Sequence, residues 1–127
     1  MTTLRSGDTL TERWQRLQMQ VRCALHPLQP ERIGLYLLCG AKLARRDTGS
    51  PVAMQLRMLR TLLRAAQDPA LPGSWRRLCV VHAELPLAHL NAQMRWHDPL
   101  ALQALEAEVQ RARVQLPPLP QRPLGVA

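Results

Sequence analysis

The chain has 127 residues and a formal charge of +8, from 17 basic against 9 acidic residues; that length fits one compact domain. Hydrophobic residues make up 46%, enough to build a core and to exclude whole-chain disorder. Phe is absent, Tyr occurs once and Trp three times while Leu dominates, which argues for helices rather than a β-sandwich or barrel.

The longest apolar run, 33–41, falls far short of the ~20 residues a membrane span needs, so no membrane association is expected. The first eight residues lack the apolar core of a signal peptide. Three cysteines do not make a disulfide framework and fit a reducing, cytoplasmic setting.

Taken in order, the punctuation predicts an all-α, single-domain helical bundle of five to six helices with short loops. The bundle is expected over 1–116, followed by an extended Pro-rich tail over 117–127. Thr9 and Glu12 have the spacing of a capping box. The first helix is expected from about Leu10 to His26, stopping before Pro27, with Leu10, Trp14, Leu17, Val21, Ala24 and Leu28 as its stripe. The second starts at Pro30 and runs to Arg46. Its middle is apolar all round, so it is expected to be the central helix. Gly34, Gly40 and Ala41 would let a neighbour approach closely.

Ser50 and Pro51 open the third helix as N-cap and first residue, with Val52, Leu56, Leu59, Leu63 and Ala66 facing the core. Ser74 caps a fourth, carrying Trp75, Leu78, Val81 and Leu85, and Pro86 is expected to break or kink it. A further piece carries Leu87, Leu90 and Met94. Asp98-Pro99 begins the last helix, with Leu102, Leu105, Val109, Ala112 and Leu116 as its stripe.

Charge is the most informative feature. Lys42 is the only lysine, so nearly all positive charge is guanidinium, the group suited to two-pronged contacts with phosphate or carboxylate. A GC-rich genome would enrich Arg, Ala, Leu and Pro together, but it does not explain position. Arg57, Arg60 and Arg64 recur on one face opposite the leucine stripe, and no acidic residue lies between Thr48 and Gln67. Like charges at that spacing repel, so the stripe implies an anionic partner; the alternative is a solvated face paired with acids of another helix. Arg45, Arg46, Arg76 and Arg77 are expected to assist. The segment Lys42–Val52 resembles a helix-turn-helix that would turn Gln55, Arg57 and Arg60 toward a groove. Its glycine comes one residue late and the apolar residue after it is missing, so an ordinary helix–loop–helix corner is the expected reading.

Cys23-x-x-His26 and Cys79-x-x-His82 could each supply half a zinc site. Tight Cys-x-x-Cys or His-x3–5-His pairs are missing, and all three cysteines sit in apolar stretches, so buried structural cysteines are expected instead. His89, Gln93 and His97 share a face beside Arg95 and Trp96, suited to a polar or stacking surface. No phosphate loop, nucleophile elbow or paired carboxylates occur. The chain is therefore expected not to be an enzyme and to need no cofactor or metal. Pro117–Arg122 fits Pro-x-x-Pro-x-Arg, an SH3-type ligand if the host is eukaryotic or viral and a solvated tail otherwise.

Two functions follow. The first is a non-enzymatic helical protein that binds nucleic acid through Arg–phosphate contacts, as a regulator or accessory subunit of a nucleoprotein complex. The second is a helical adaptor or scaffold for an acidic protein partner, with Trp14, Tyr36, Trp75 and Trp96 as anchors.

Overall fold

A computed structural model of the protein describes residues 6–46 and 50–116. Among them are five helices and no strand: α1 (Ser6–Cys23), α2 (Glu31–Arg46), α3 (Pro51–Ala66), α4 (Gly73–Met94) and α5 (Pro99–Gln115). The helical bundle expected from composition is the architecture found. Residues 117–127, with the Pro-x-x-Pro-x-Arg motif, lie outside the described residues.

α1 differs from expectation at both ends. Thr9 sits inside the helix, which begins at Ser6, so it is not the N-cap. The helix ends at Cys23 because Ala24 turns to φ +50°. The Leu25 amide then donates to the Gln20 carbonyl at 3.1 Å and the Ala24 amide to Val21 at 3.4 Å, the paired bonds of a Schellman cap. Having left the helix, the chain carries Leu28 into solvent, 92% exposed, instead of onto the core stripe.

The central helix is α3, not α2. It packs against all four others, and Met58, Leu59, Leu62, Leu63, Ala65 and Ala66 are all buried. Ser50 caps it by accepting from the Ala53 amide at 3.4 Å. α2 leaves Leu35 and Leu38 exposed, so its apolar run is not covered on every side. Close approach is confined to Gly40, where an added Cβ would fall 2.8 Å from Trp14 Nε1 and against the Met58 side chain; the same atom on Gly34 would meet nothing.

α4 is one continuous helix of 22 residues. Pro86 lacks the amide that would bond to the His82 carbonyl, yet the helix runs through it with Pro86 fully buried. No side chain caps α4; its N-cap is Pro72 rather than Ser74. The buried face is Trp75, Cys79, Ala83, Pro86, Leu90 and Met94, while Val81 and Leu85 are exposed. α4 is apolar around much of its circumference, so packing rather than periodicity chose the face. α5 is capped by Asp98, which accepts from the Ala101 amide at 3.2 Å. Leu102, Leu105, Val109, Ala112 and Leu116 are all buried, as their spacing predicts.

Candidate nucleic-acid interface

Because α3 is enclosed on most sides, solvent reaches it along a seam one residue wide: Ala53, Arg57, Arg60 and Arg64 are its exposed positions after the first, and the C-cap Gln67 is exposed beyond them. From Arg57 to Arg64 the seam rises about 10 Å at 1.5 Å per residue. No described carboxylate forms an ion pair with these arginines. The described ion pairs are Arg22–Asp68, at 2.9 Å, and Arg113–Glu84. Asp68, the acid closest to the seam in sequence, is held by Arg22, whose hydrogen bond keeps its carboxyl below the usual range with help from the Ala70 amide.

Arg57 is preorganised. Its guanidinium carbon lies 5.0 Å from the centre of the Trp14 ring, and Trp14 is stacked on Tyr36 with centroids 5.6 Å apart and an interplanar angle of 13°. A guanidinium held by its face keeps its edge N–H groups for a ligand. Tyr36 is fully enclosed. Burial pushes its phenol up to about 12, with Thr61 and Arg57 opposing, and its hydroxyl donates to Gln18 Oε1 at 3.1 Å. The Trp14 platform had no signature in the sequence, since it lies 43 residues before Arg57 and reads there as one more core position.

The other expected arginines divide into two groups. Arg45 and Arg46 are exposed at the end of α2, within about 22 Å of the start of α3 by chain length. Arg76 and Arg77 are half-buried at the start of α4. The Arg76 Nε donates to the Ala66 carbonyl at 2.8 Å, so this arginine caps the end of α3.

Several expectations need correction. Gln55 is buried, so α3 cannot present it to a groove, and the helix-turn-helix reading keeps only Arg57 and Arg60 of its three groove residues; its turn, 47–49, lies outside the described residues. Trp14, Tyr36 and Trp75 are buried and cannot anchor a partner. Trp96 alone of the four is open, at 82% exposure. Cys39 and Cys79 are buried, but Cys23 is exposed, because the chain leaves α1 there. Burial pushes the Cys79 thiol up to about 12, and the His82 Nδ1 lies 2.8 Å from the Leu78 carbonyl. Among the described residues no three His, Cys, Asp or Glu side chains group as metal ligands, and no helix is long and apolar enough to cross a membrane.

The surface therefore combines a planar cation on an aromatic platform, two further exposed guanidiniums, and the neighbouring acid neutralised elsewhere. Comparison with known protein families, with curated proteins and with solved structures finds no match to this chain.

Proposed function

We propose that the protein is a non-enzymatic helical module that binds nucleic acid through its phosphates, as a regulator or accessory subunit of a nucleoprotein complex. The observation that carries this reading is the α3 seam, whose Arg57, Arg60 and Arg64 are exposed and have no described carboxylate as an ion-pair partner. Arg45 and Arg46 extend the positive field past the start of α3. Guanidiniums on a single seam, with Gln55 buried beside them, favour contacts to the phosphate backbone, which carry little sequence preference.

The test is binding of a labelled duplex and a labelled single strand at two salt concentrations. Replacing all three seam arginines by Gln should weaken binding and lower the logarithmic salt slope by about 2–3, close to one for each phosphate that is no longer neutralised. Absence of binding at low salt, or binding unchanged in the triple variant, removes the proposal. An adaptor role is favoured by one specific observation, that Trp96 and, four residues on, Leu100 are both exposed. Co-purification before and after nuclease treatment separates the two readings, because a protein partner survives the nuclease.

A further inference from the structure

The corner between α4 and α5 carries an open indole on a fixed backbone. Trp96 is 82% exposed, against 3% for Trp14 and 1% for Trp75. The Arg95 amide donates to the Asn91 carbonyl at 3.1 Å, and the His97 and Asp98 amides both donate to the Met94 carbonyl, at 3.1 and 2.8 Å. Arg95 is tethered by its side chain as well, with Nε and Nη2 donating to Asn91 Oδ1 at 3.2 and 2.8 Å. Asn91 Nδ2 in turn donates to Glu106 Oε2 at 3.3 Å. The acid of the corner, Asp98, is turned back to cap α5. Trp96 therefore stands in solvent between a tethered guanidinium and the exposed His97. It forgoes the burial that the other two tryptophans gain, and the constrained backbone presents it as a platform. The bond from Arg76 to the Ala66 carbonyl sets the start of α4 against the end of α3, so α4 runs back along α3. Counted from that contact at about 1.5 Å per residue, Trp96 lies roughly 8 Å past the first residue of α3. That is the end of the bundle at which α2 finishes with Arg45 and Arg46.

We propose that Trp96 is a base-stacking subsite for single-stranded nucleic acid. This rests on the phosphate-binding reading of the α3 seam and names the form of ligand that the seam serves. In a duplex the faces of the bases are covered by their neighbours, and only an unstacked base offers its π-face to an indole. A single strand joins such a face to a phosphate at every nucleotide, and the corner supplies the matching pair, the indole and the guanidinium of Arg95 one residue before it. Both halves of the corner are used only by a ligand that is aromatic and anionic at once, as a nucleotide is. Stacking accepts any base, in keeping with seam contacts that carry little sequence preference.

Tryptophan fluorescence of the full chain tests it. The probes are a short oligothymidylate, an abasic strand with the same number of phosphates, and a duplex. Oligothymidylate should quench the open indole, and the other two should not. Any response of the buried Trp14 to phosphate at Arg57 arises with all three probes, so the difference between the two strands belongs to Trp96. Trp96→Ala should weaken oligothymidylate binding about 5- to 150-fold, as loss of one stacked base does, and leave binding of the abasic strand and the duplex unchanged. Trp96→Phe, with a smaller ring, should retain part of the binding. Because the side chain is exposed, both variants should keep the far-UV circular dichroism spectrum. A wild type that binds none of the probes at low salt removes the seam reading and this one with it. Strand binding indifferent to Trp96→Ala, or quenching equal with and without bases, overturns the stacking subsite alone, leaves the seam in place and returns Trp96 to the adaptor reading.

Discussion

The indole Nε1 of Trp75 donates to the backbone carbonyl of Val21 at 2.9 Å, fully buried and across 54 residues of chain. It ties the start of α4 to the last turn of α1, beside the point where that helix ends. Trp75→Phe keeps a ring in the core but removes the donor, and should cost at least about 1–3 kcal/mol, the range for leaving a buried polar group short of a partner. Denaturant unfolding followed by circular dichroism measures the loss.

Ala24 holds a left-handed conformation that glycine adopts freely and that costs a side-chain-bearing residue about 1–2 kcal/mol. Ala24→Gly should therefore stabilise the protein by up to about 1 kcal/mol, after the greater chain entropy of glycine is set against the relief. Ala24→Val should destabilise it, because a β-branched residue tolerates positive φ least. The two thermal midpoints should move in opposite directions.

Gly40→Ala tests the meeting of α1, α2 and α3. The new methyl would press on the Trp14 ring and on Met58. Met58 can bend away, but Trp14 is fixed between Arg57 and Tyr36. Overpacking of this kind typically costs about 1–3 kcal/mol. Gly34→Ala, with open space around it, should be neutral or slightly stabilising through helix propensity.

Stability should fall at both extremes of pH, for separate reasons. Tyr36 and Cys79 are each pushed up to about 12, from ordinary values of 10.0 and 9.0, so the folded state favours their neutral forms. That contribution is complete below the ordinary values and is lost as pH rises toward 12. Removing the thiol with Cys79→Ala should weaken the alkaline limb, leaving Tyr36 and the Cys39 thiol, which burial also raises, to set it. Asp68 is displaced downward by Arg22. Its contribution is present above the ordinary value of about 3.9 and is lost as pH falls through its lower folded value. Asp68→Asn should flatten the acid limb and leave the alkaline limb unchanged; denaturation midpoints across the pH range show both.

How far the residues foretold the structure depended on whether local rules and packing agreed. Ser50-Pro51 and Asp98-Pro99 combine an oxygen cap with a preset first residue, and both open helices where expected. α5 has one apolar face, which is the buried one. α4 offers apolar side chains in most directions, and the Trp75 anchor settled its rotation by leaving Val81 and Leu85 outside. Pro86 broke the local rule because α3 and α5 pack along the length of α4, and a buried proline on a supported helix loses only one backbone bond. The basic seam was legible because it depends on spacing within a single helix. Its aromatic platform was not, because Trp14 and Arg57 meet only through tertiary packing.

Two contacts across the α4–α5 hairpin, Glu84 with Arg113 and Asn91 with Glu106 at 3.3 Å, set the register of one helix on the other. One residue inserted within α5 between Leu102 and Glu106 would rotate the rest of that helix by about 100° and advance it about 1.5 Å, swinging Glu106 away from Asn91 and Arg113 away from Glu84 together. It would also turn the positions from Leu105 to Leu116 toward water. The corner at 95–98 lies outside both helices, where an added residue can bulge into solvent, so length can vary there and not in the helix that follows.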